Sequence, residues 1–141
     1  MALKRNRSMP TSAVIPVLGY EDVGEAVDWL CAAFGFTERW RAGDHRAQLN
    51  VGDGAVAITQ RRAGGSPRQT SCSVVVRVAD ADAHHARARS HGARVLSAPA
   101  DHPYGERQYT AQDLGGHVWT FSESIADVAP EAWGGRSNHL A

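Results

Sequence analysis

Apolar positions along the chain follow two periods in turn, and the order in which the periods occur repeats. Val14-Ile15-Pro16-Val17-Leu18-Gly19-Tyr20 is a mostly apolar run bounded by polar residues and reads as a buried strand. From Val23, the residues Ala26, Val27, Leu30 and Phe34 fall at the spacing that makes one face of a helix. Asp22 stands where an N-cap accepts from the free amides of the first turn, Glu25 follows at capping-box spacing, and Gly35 supplies a left-handed stop. Strand patterns follow at Phe36 to Arg41, at Arg46 to Val51 and, after the turn Gly52-Asp53-Gly54, at Ala55 to Gln60. Arg46 to Val51 alternates strictly, so Arg46, Gln48 and Asn50 share one sheet face and Ala47, Leu49 and Val51 the other.

The same sequence of elements then recurs about sixty residues later. Ser73 to Val78 is a strand and Asp80 is a cap. Ala81 to His91 is a helix with a mostly alanine stripe, stopped at Gly92. Strands follow at Ala93 to Leu96, at Arg107 to Gln112 and, after Asp113-Leu114-Gly115-Gly116, at His117 to Ser122. Each half is therefore β-α-β-β-β and the fold class is α+β. The expected organisation is a flexible N-terminus at 1–12, one domain at 13–123 and a tail at 124–141. Within the domain lie module one at 13–60, a Gly/Ser/Pro-bearing linker at 61–70 and module two at 71–123.

Composition narrows the setting. At 141 residues and 43% hydrophobic, the chain can bury one core without disulfide or metal staples. Fifteen basic and fifteen acidic residues cancel, so no global field draws nucleic acid or an anionic membrane, and neither is expected as a partner. No run approaches the roughly 20 apolar residues of a spanning helix, and the basic start lacks an apolar signal core, so a cytoplasmic protein is expected. Cys31 and Cys72 form no disulfide framework and are read as buried thiols.

The repeat, together with Tyr20-Glu21-Asp22 opening a helix that ends Ala33-Phe34-Gly35-Phe36, resembles the vicinal oxygen chelate superfamily of glyoxalases, bleomycin-resistance proteins and dioxygenases. The second half carries the companion wording Tyr104-Gly105-Glu106-Arg107 and Asp113-Leu114-Gly115-Gly116-His117-Val118-Trp119, closest to the bleomycin-resistance and PhnB-like branch. The resemblance implies two curved four-stranded sheets that enclose a cleft, with the helices outside. It also implies a homodimer, since two-module members commonly pair. Enzymes of the superfamily hold a divalent metal with one side chain from the first and one from the last strand of each module, chosen from histidine, glutamate and glutamine. Carried onto this sequence, those positions fall on Ile15, on one of Ile58, Thr59 or Gln60, on Ser73 and on Thr120. Neither a metal nor another cofactor is expected. The histidines offer no substitute, because no pair has the i, i+4 spacing that lets two imidazoles share an ion. His84, His85 and His91 read as solvated helix residues and His117 as a turn residue.

No phosphate loop, nucleophile elbow or catalytic triad is present, and no catalytic residue is assigned. Glu106, beside Tyr104 and Arg107, is the one acid without an evident structural place. Phe34, Phe36, Phe121 and Trp119 read as core, whereas Trp40, Tyr104 and Tyr109 are candidate stacking surfaces for a flat ligand. Arg46, Gln48, Arg77, Gln108 and Thr120 complete the expected ligand-binding set. The favoured reading is a metal-independent binding protein for a small organic molecule, one that sequesters a toxic natural product. A lyase- or isomerase-type enzyme and an accessory protein with a vestigial cleft are the alternatives.

Overall fold

The computed structural model describes residues 3–61 and 72–138, so the expected linker, apart from Arg61, and His139 lie outside the described residues. The elements run β1 (Val17–Tyr20), α1 (Val23–Phe34), β2 (Thr37–Ala42), β3 (Arg46–Val51) and β4 (Gly54–Gln60). They continue with β5 (Val74–Arg77), α2 (Ala81–Ser90), β6 (Arg94–His102), β7 (Glu106–Gln112) and β8 (Val118–Ser124), and a single 3-10 turn follows at Pro130–Trp133. They form two four-stranded sheets, ordered β1-β4-β3-β2 and β5-β8-β7-β6, each with one parallel pair and two antiparallel pairs. The βαβββ repeat is therefore present in both halves. By contacts the chain divides into one unit of Met1–Gln69 with Leu114–His117 and a second of Thr70–Asp113 with Val118–Ala141.

In the first unit, α1 starts where Asp22 accepts from the Glu25 amide at 2.9 Å and ends at Gly35, whose φ of 78° places it in the left-handed region. Its stripe of Val23, Ala26, Val27, Leu30, Ala33 and Phe34 is buried, and the helix packs on β3 and β4. Leu49 of β3 and Ile58 of β4 are both fully buried. The β7–β8 turn residues that cluster with this unit are tied to it by hydrogen bonds and by an edge-on contact of the His117 and Tyr20 rings, with centroids 4.8 Å apart. The His117 Nε2 lies 2.8 Å from the Gly19 carbonyl, and Arg61 Nη1 donates to the Gly115 carbonyl at 3.1 Å.

In the second unit, α2 is capped alike, with Asp80 accepting from the Ala83 amide at 3.0 Å, but only Ala81 and Ala88 of the helix are buried. A short alanine stripe leaves room beneath the helix, and aromatic rings fill it: Trp119, Tyr109 and Phe121 are all fully buried. Here the expectation of solvated histidines fails for His84. Its ring centroid lies 4.1 Å from that of Phe121, and its Nδ1 is hydrogen-bonded to the Tyr109 hydroxyl. His85 also meets Tyr109 edge-on, with centroids 5.2 Å apart. Cys72, expected to be buried, is exposed.

Two elements extend beyond their sequence patterns. β6 continues through Pro99 to His102 with register shifts between Val95 and Ala100. Pro99 has no N–H to give a ladder, which argues against a strand in a sheet's middle, but β6 is an edge strand and tolerates it. The C-terminal segment also has structure, since the Ile125 and Ala126 amides donate to the Gly105 carbonyl and Trp133 packs edge-on against Tyr104.

Candidate functional site

Each sheet has one face covered by its helix and one face turned away from it, and the strand registers assign every candidate residue to one or the other. In the first sheet, Trp40 and Ala57 both pair with Gln48, so the three share the face turned away from α1. Strict alternation along β2 would put Arg39 and Arg41 on one face. A bulge between Glu38 and Trp40 separates them. Arg41 turns to the helix side and bridges Asp28 at 3.0 Å and Glu38 at 2.8 Å. Arg39 turns the other way, and its Nε donates to Gln48 Oε1 at 2.9 Å. Gln48 is only 4% exposed, so this bond satisfies a buried amide.

Residues 3–12, expected to be a free end, contain no regular element but lie against this face. Arg39 Nη2 donates to the carbonyls of Arg7 at 3.1 Å and Met9 at 3.2 Å, and the Trp40 indole N–H donates to the Ser8 carbonyl at 3.1 Å. A cavity of about 1030 Å³ lies along the segment, lined by Met9, Pro10, Ile15 and Arg39 among others. Arg46 is exposed at the start of β3 and makes no side-chain hydrogen bond among the described residues.

On the second sheet, the pairs Val75 with Thr120, Arg77 with Ser122, Gln108 with Ser122 and Thr110 with Thr120 place these residues on the face turned away from α2. A polar chain crosses that face. The Tyr104 hydroxyl donates to Gln108 Oε1 at 3.0 Å, Gln108 Nε2 to Ser122 Oγ at 3.0 Å, and Ser122 Oγ to Glu106 Oε1 at 2.7 Å. Arg77 Nη2 donates to Ser124 Oγ at 3.1 Å, and Thr110 and Thr120 share a hydroxyl contact of 3.0 Å. Hydrogen bonds from Ser124 and Ser122, aided by the charge of Arg77, hold the Glu106 carboxyl below its ordinary range. At the β6–β7 end, the His102 and Tyr104 rings stack with centroids 5.1 Å apart.

The structure therefore brings Arg77, Tyr104, Gln108 and Thr120 together on one face of module two, and Trp40 and Gln48 together on one face of module one. It removes Tyr109 from the candidate set. Tyr109 pairs with Phe121 on the helix side, is fully buried, and stacks on Phe121 with centroids 5.2 Å apart. Burial pushes its phenol well above the usual tyrosine range. The sequence expectation missed Arg39, because only the bulge reveals which way it points. Glu106, singled out but unplaced, sits inside the polar chain.

The family model of the Glyoxalase/Bleomycin resistance protein/Dioxygenase superfamily matches residues 14–121. The chain belongs to this superfamily. No curated protein matches it. Among solved structures, TioX from Micromonospora sp. ML1 is similar at 34% identity, over 84% of this chain and 100% of that one, with a TM-score of 0.67. The fosfomycin resistance protein FosX from Listeria monocytogenes shares the fold at 12% identity, over 82% of this chain and 94% of its own, also with a TM-score of 0.67. A glyoxalase/bleomycin resistance protein/dioxygenase from Nocardioides does so at 18% identity and a TM-score of 0.64, over 94% and 93% of the two chains.

The structure fixes the register that the sequence left open at the superfamily's metal positions. Val75, two residues after Ser73, pairs with Thr120, and Val17, two residues after Ile15, pairs with Ala57. The module-one counterpart of Thr120 is thus Ala57 and none of Ile58, Thr59 or Gln60. Ile58 points to α1, while Thr59 and Gln60 lie one and two pairs further along β1, opposite Gly19 and Tyr20. Module one offers an isoleucine and an alanine, module two a serine and a threonine. These residues do not fit the superfamily's divalent metal, since none of the four is a histidine, glutamate or glutamine and two carry no side-chain ligand atom at all. Among the described residues no cluster of three or more His, Cys, Asp or Glu side chains is placed to hold one. No helix among them is long and apolar enough to cross a membrane.

Proposed function

We propose that this superfamily member binds a small organic molecule without a metal and acts by sequestration. The observation that carries the reading is the donor set at the superfamily's metal positions: Ile15 and Ala57 have no donor atom, and the hydroxyls of Ser73 and Thr120 are poor ligands for a transition metal. What surrounds those positions is a binding surface of mixed character. On module two, Val75 presents an exposed apolar side chain, at 62% exposure, while Arg77, Gln108 and Tyr104 on the same sheet supply donors and acceptors; on module one, Val17 is likewise exposed, at 57%. A few placed polar groups on an apolar ground suit an amphipathic organic ligand.

A metal-free lyase or isomerase needs a general acid or base that titrates near the working pH. Glu106 is the carboxyl on the polar face, and it is held in its ionised form with Ser122 and Ser124 already bonded to it. That arrangement favours a fixed acceptor over a proton shuttle. Homodimer formation and a cytoplasmic location belong to the same proposal, the first tested by light scattering at micromolar concentration.

The deciding experiment combines elemental analysis of dialysed protein with thermal-shift titration against nickel, zinc, manganese and iron, followed by a thermal-shift screen of a natural-product collection. No stoichiometric metal, no metal-induced shift and a saturable shift with an organic compound are expected. One retained equivalent of metal together with a shift of several degrees overturns the reading, as does a metal-dependent turnover.

A further inference from the structure

We propose that the face of module one bearing Arg39 and Trp40 is a recognition site for converging backbone carbonyls, and that residues 6–9 occupy it as an internal surrogate for a compact peptide-like ligand. The proposal rests on the small-molecule reading above and names the ligand class. Three hydrogen bonds from two adjacent sheet residues meet three successive carbonyls: Arg39 Nη2 takes Arg7 and Met9, and the Trp40 indole N–H takes Ser8. Successive carbonyls of an extended chain point to opposite sides, so a strand cannot present three to one surface. A turn can. The Met9 amide bonds to the Asn6 carbonyl at 2.9 Å and the Ser8 amide to Asn6 Oδ1 at 3.0 Å, which folds the segment into one.

The donors are held independently of the segment. Arg39 Nε is fixed by Gln48, whose side chain is buried, and the bulge that aims Arg39 belongs to the β2–β3 pairing. The guanidinium is thus held at Nε while the neighbouring Nη2 donates to the segment, a charge-assisted arrangement for carbonyl oxygens. The occupant, by contrast, fits loosely. Residues 3–9 are exposed, the cavity of about 1030 Å³ runs beside them, and the Ser12 hydroxyl is buried without a partner. A buried, unpaired hydroxyl disfavours the docked state. A displaceable turn on a preformed donor set is what a competing ligand with clustered amide carbonyls requires.

The test uses the full chain with a specific protease site placed after the exposed Thr11, folded intact, then cut and dialysed. The probe is a synthetic peptide of residues 3–12, and the readout is the Trp40 indole N–H resonance, assigned with Trp40→Phe. The resonance is expected to shift on release of the segment and to return on adding the peptide at submillimolar to millimolar concentration. The uncut chain should need more peptide, from about twofold for a millimolar peptide to about tenfold for a 0.1 mM one, because a short tether supplies the segment at an effective concentration of roughly millimolar. Arg39→Lys keeps the charge but loses the fork, and should weaken the peptide at least fivefold. An Asn6→Ala peptide, which loses one turn bond, should also bind less well. The proposal is overturned if 10 mM peptide leaves the resonance of the cut chain unmoved, or if Arg39→Lys binds the peptide as well as the unaltered protein does. Should cutting unfold the chain, excess peptide has to quicken amide exchange of residues 4–11 in the uncut protein, and unchanged exchange overturns the proposal. A saturable hit in the natural-product screen alongside a negative peptide result leaves sequestration standing and removes only the ligand class.

Discussion

Replacing Gly105 by alanine tests how the C-terminal segment is anchored to module two. Gly105 has a φ of 85°, and its carbonyl receives the Ile125 amide at 2.8 Å and the Ala126 amide at 3.2 Å. An added Cβ would lie 2.5 Å from the Ala126 carbonyl oxygen and 2.9 Å from Val128 Cγ2. Left-handed backbone costs a non-glycine residue about 1–2 kcal/mol. The steric conflict adds the usual penalty of overpacking, about 1–3 kcal/mol, but it is bounded, because the chain can escape by peeling 125–128 away. Peeling forfeits two backbone hydrogen bonds, at about 1 kcal/mol each. The total is about 3 kcal/mol, or roughly 10 °C in Tm for a domain of this size. Gly92 supplies the control: its φ is 82° but nothing lies within 4 Å of its added Cβ, so Gly92→Ala should cost only the backbone strain. Urea and thermal unfolding of both variants, with Trp133 fluorescence reporting the tail, measure the difference. Equal losses at Gly105 and Gly92, or an unchanged Trp133 signal in Gly105→Ala, would refute the argument that the packed tail is what Gly105 accommodates.

Three other outcomes follow from the same structure. Burial raises the Tyr109 phenol, so its folded form resists ionisation; stability is unaffected below the ordinary phenol value near 10 and falls as pH rises beyond it. Tyr109→Phe should remove that alkaline loss in a pH series of urea midpoints, and an unchanged slope above pH 10 would count against the buried placement. Glu106 is lowered by Ser124, Ser122 and Arg77, so its contribution is present above the ordinary glutamate value near 4.3 and is lost as pH falls through its lower folded value. The stability gap between the native chain and Glu106→Gln should accordingly narrow below about pH 4, and a gap that widens there contradicts the sign. Asp22→Ala removes the cap acceptor of α1 and should cost about 1 kcal/mol by urea denaturation, with Asp22→Asn restoring most of it.

The repeat was legible because it is written in signals that need no tertiary knowledge. Asp22 and Asp80 cap both helices, Gly35 and Gly92 both have positive φ after them, and the alternation in Arg46–Val51 gave the correct two faces. The elements that escaped did so where tertiary context overrode a local rule. Pro99 argues against a strand until β6 is known to be an edge, and Glu38–Trp40 alternates until the bulge shifts its register. His84 and Tyr109 were both misjudged for one reason. The α2 stripe is mostly alanine, and a helix that brings little volume of its own must be filled from the sheet beneath it and from any larger side chain on its near face.

The site divides along the same line. Placing Gln48, Thr120, Arg77 and Gln108 on the sheet faces turned away from the helices needed only the period of two, and those residues are where that period puts them. Choosing which polar residue is held ready for a ligand needed the hydrogen-bond partners. On module two the polar groups satisfy one another, from Tyr104 through Gln108 and Ser122 to Glu106, so a ligand there has to exchange one bond for another. On module one the sheet's donors are spent on a segment of irregular chain that is itself mostly exposed. Exchange costs least where the outgoing partner recovers its bonds from water, and exposed backbone carbonyls do so at once. For that reason the two β-α-β-β-β halves, alike in topology, are unequal in readiness, and module one is where recognition is expected to begin.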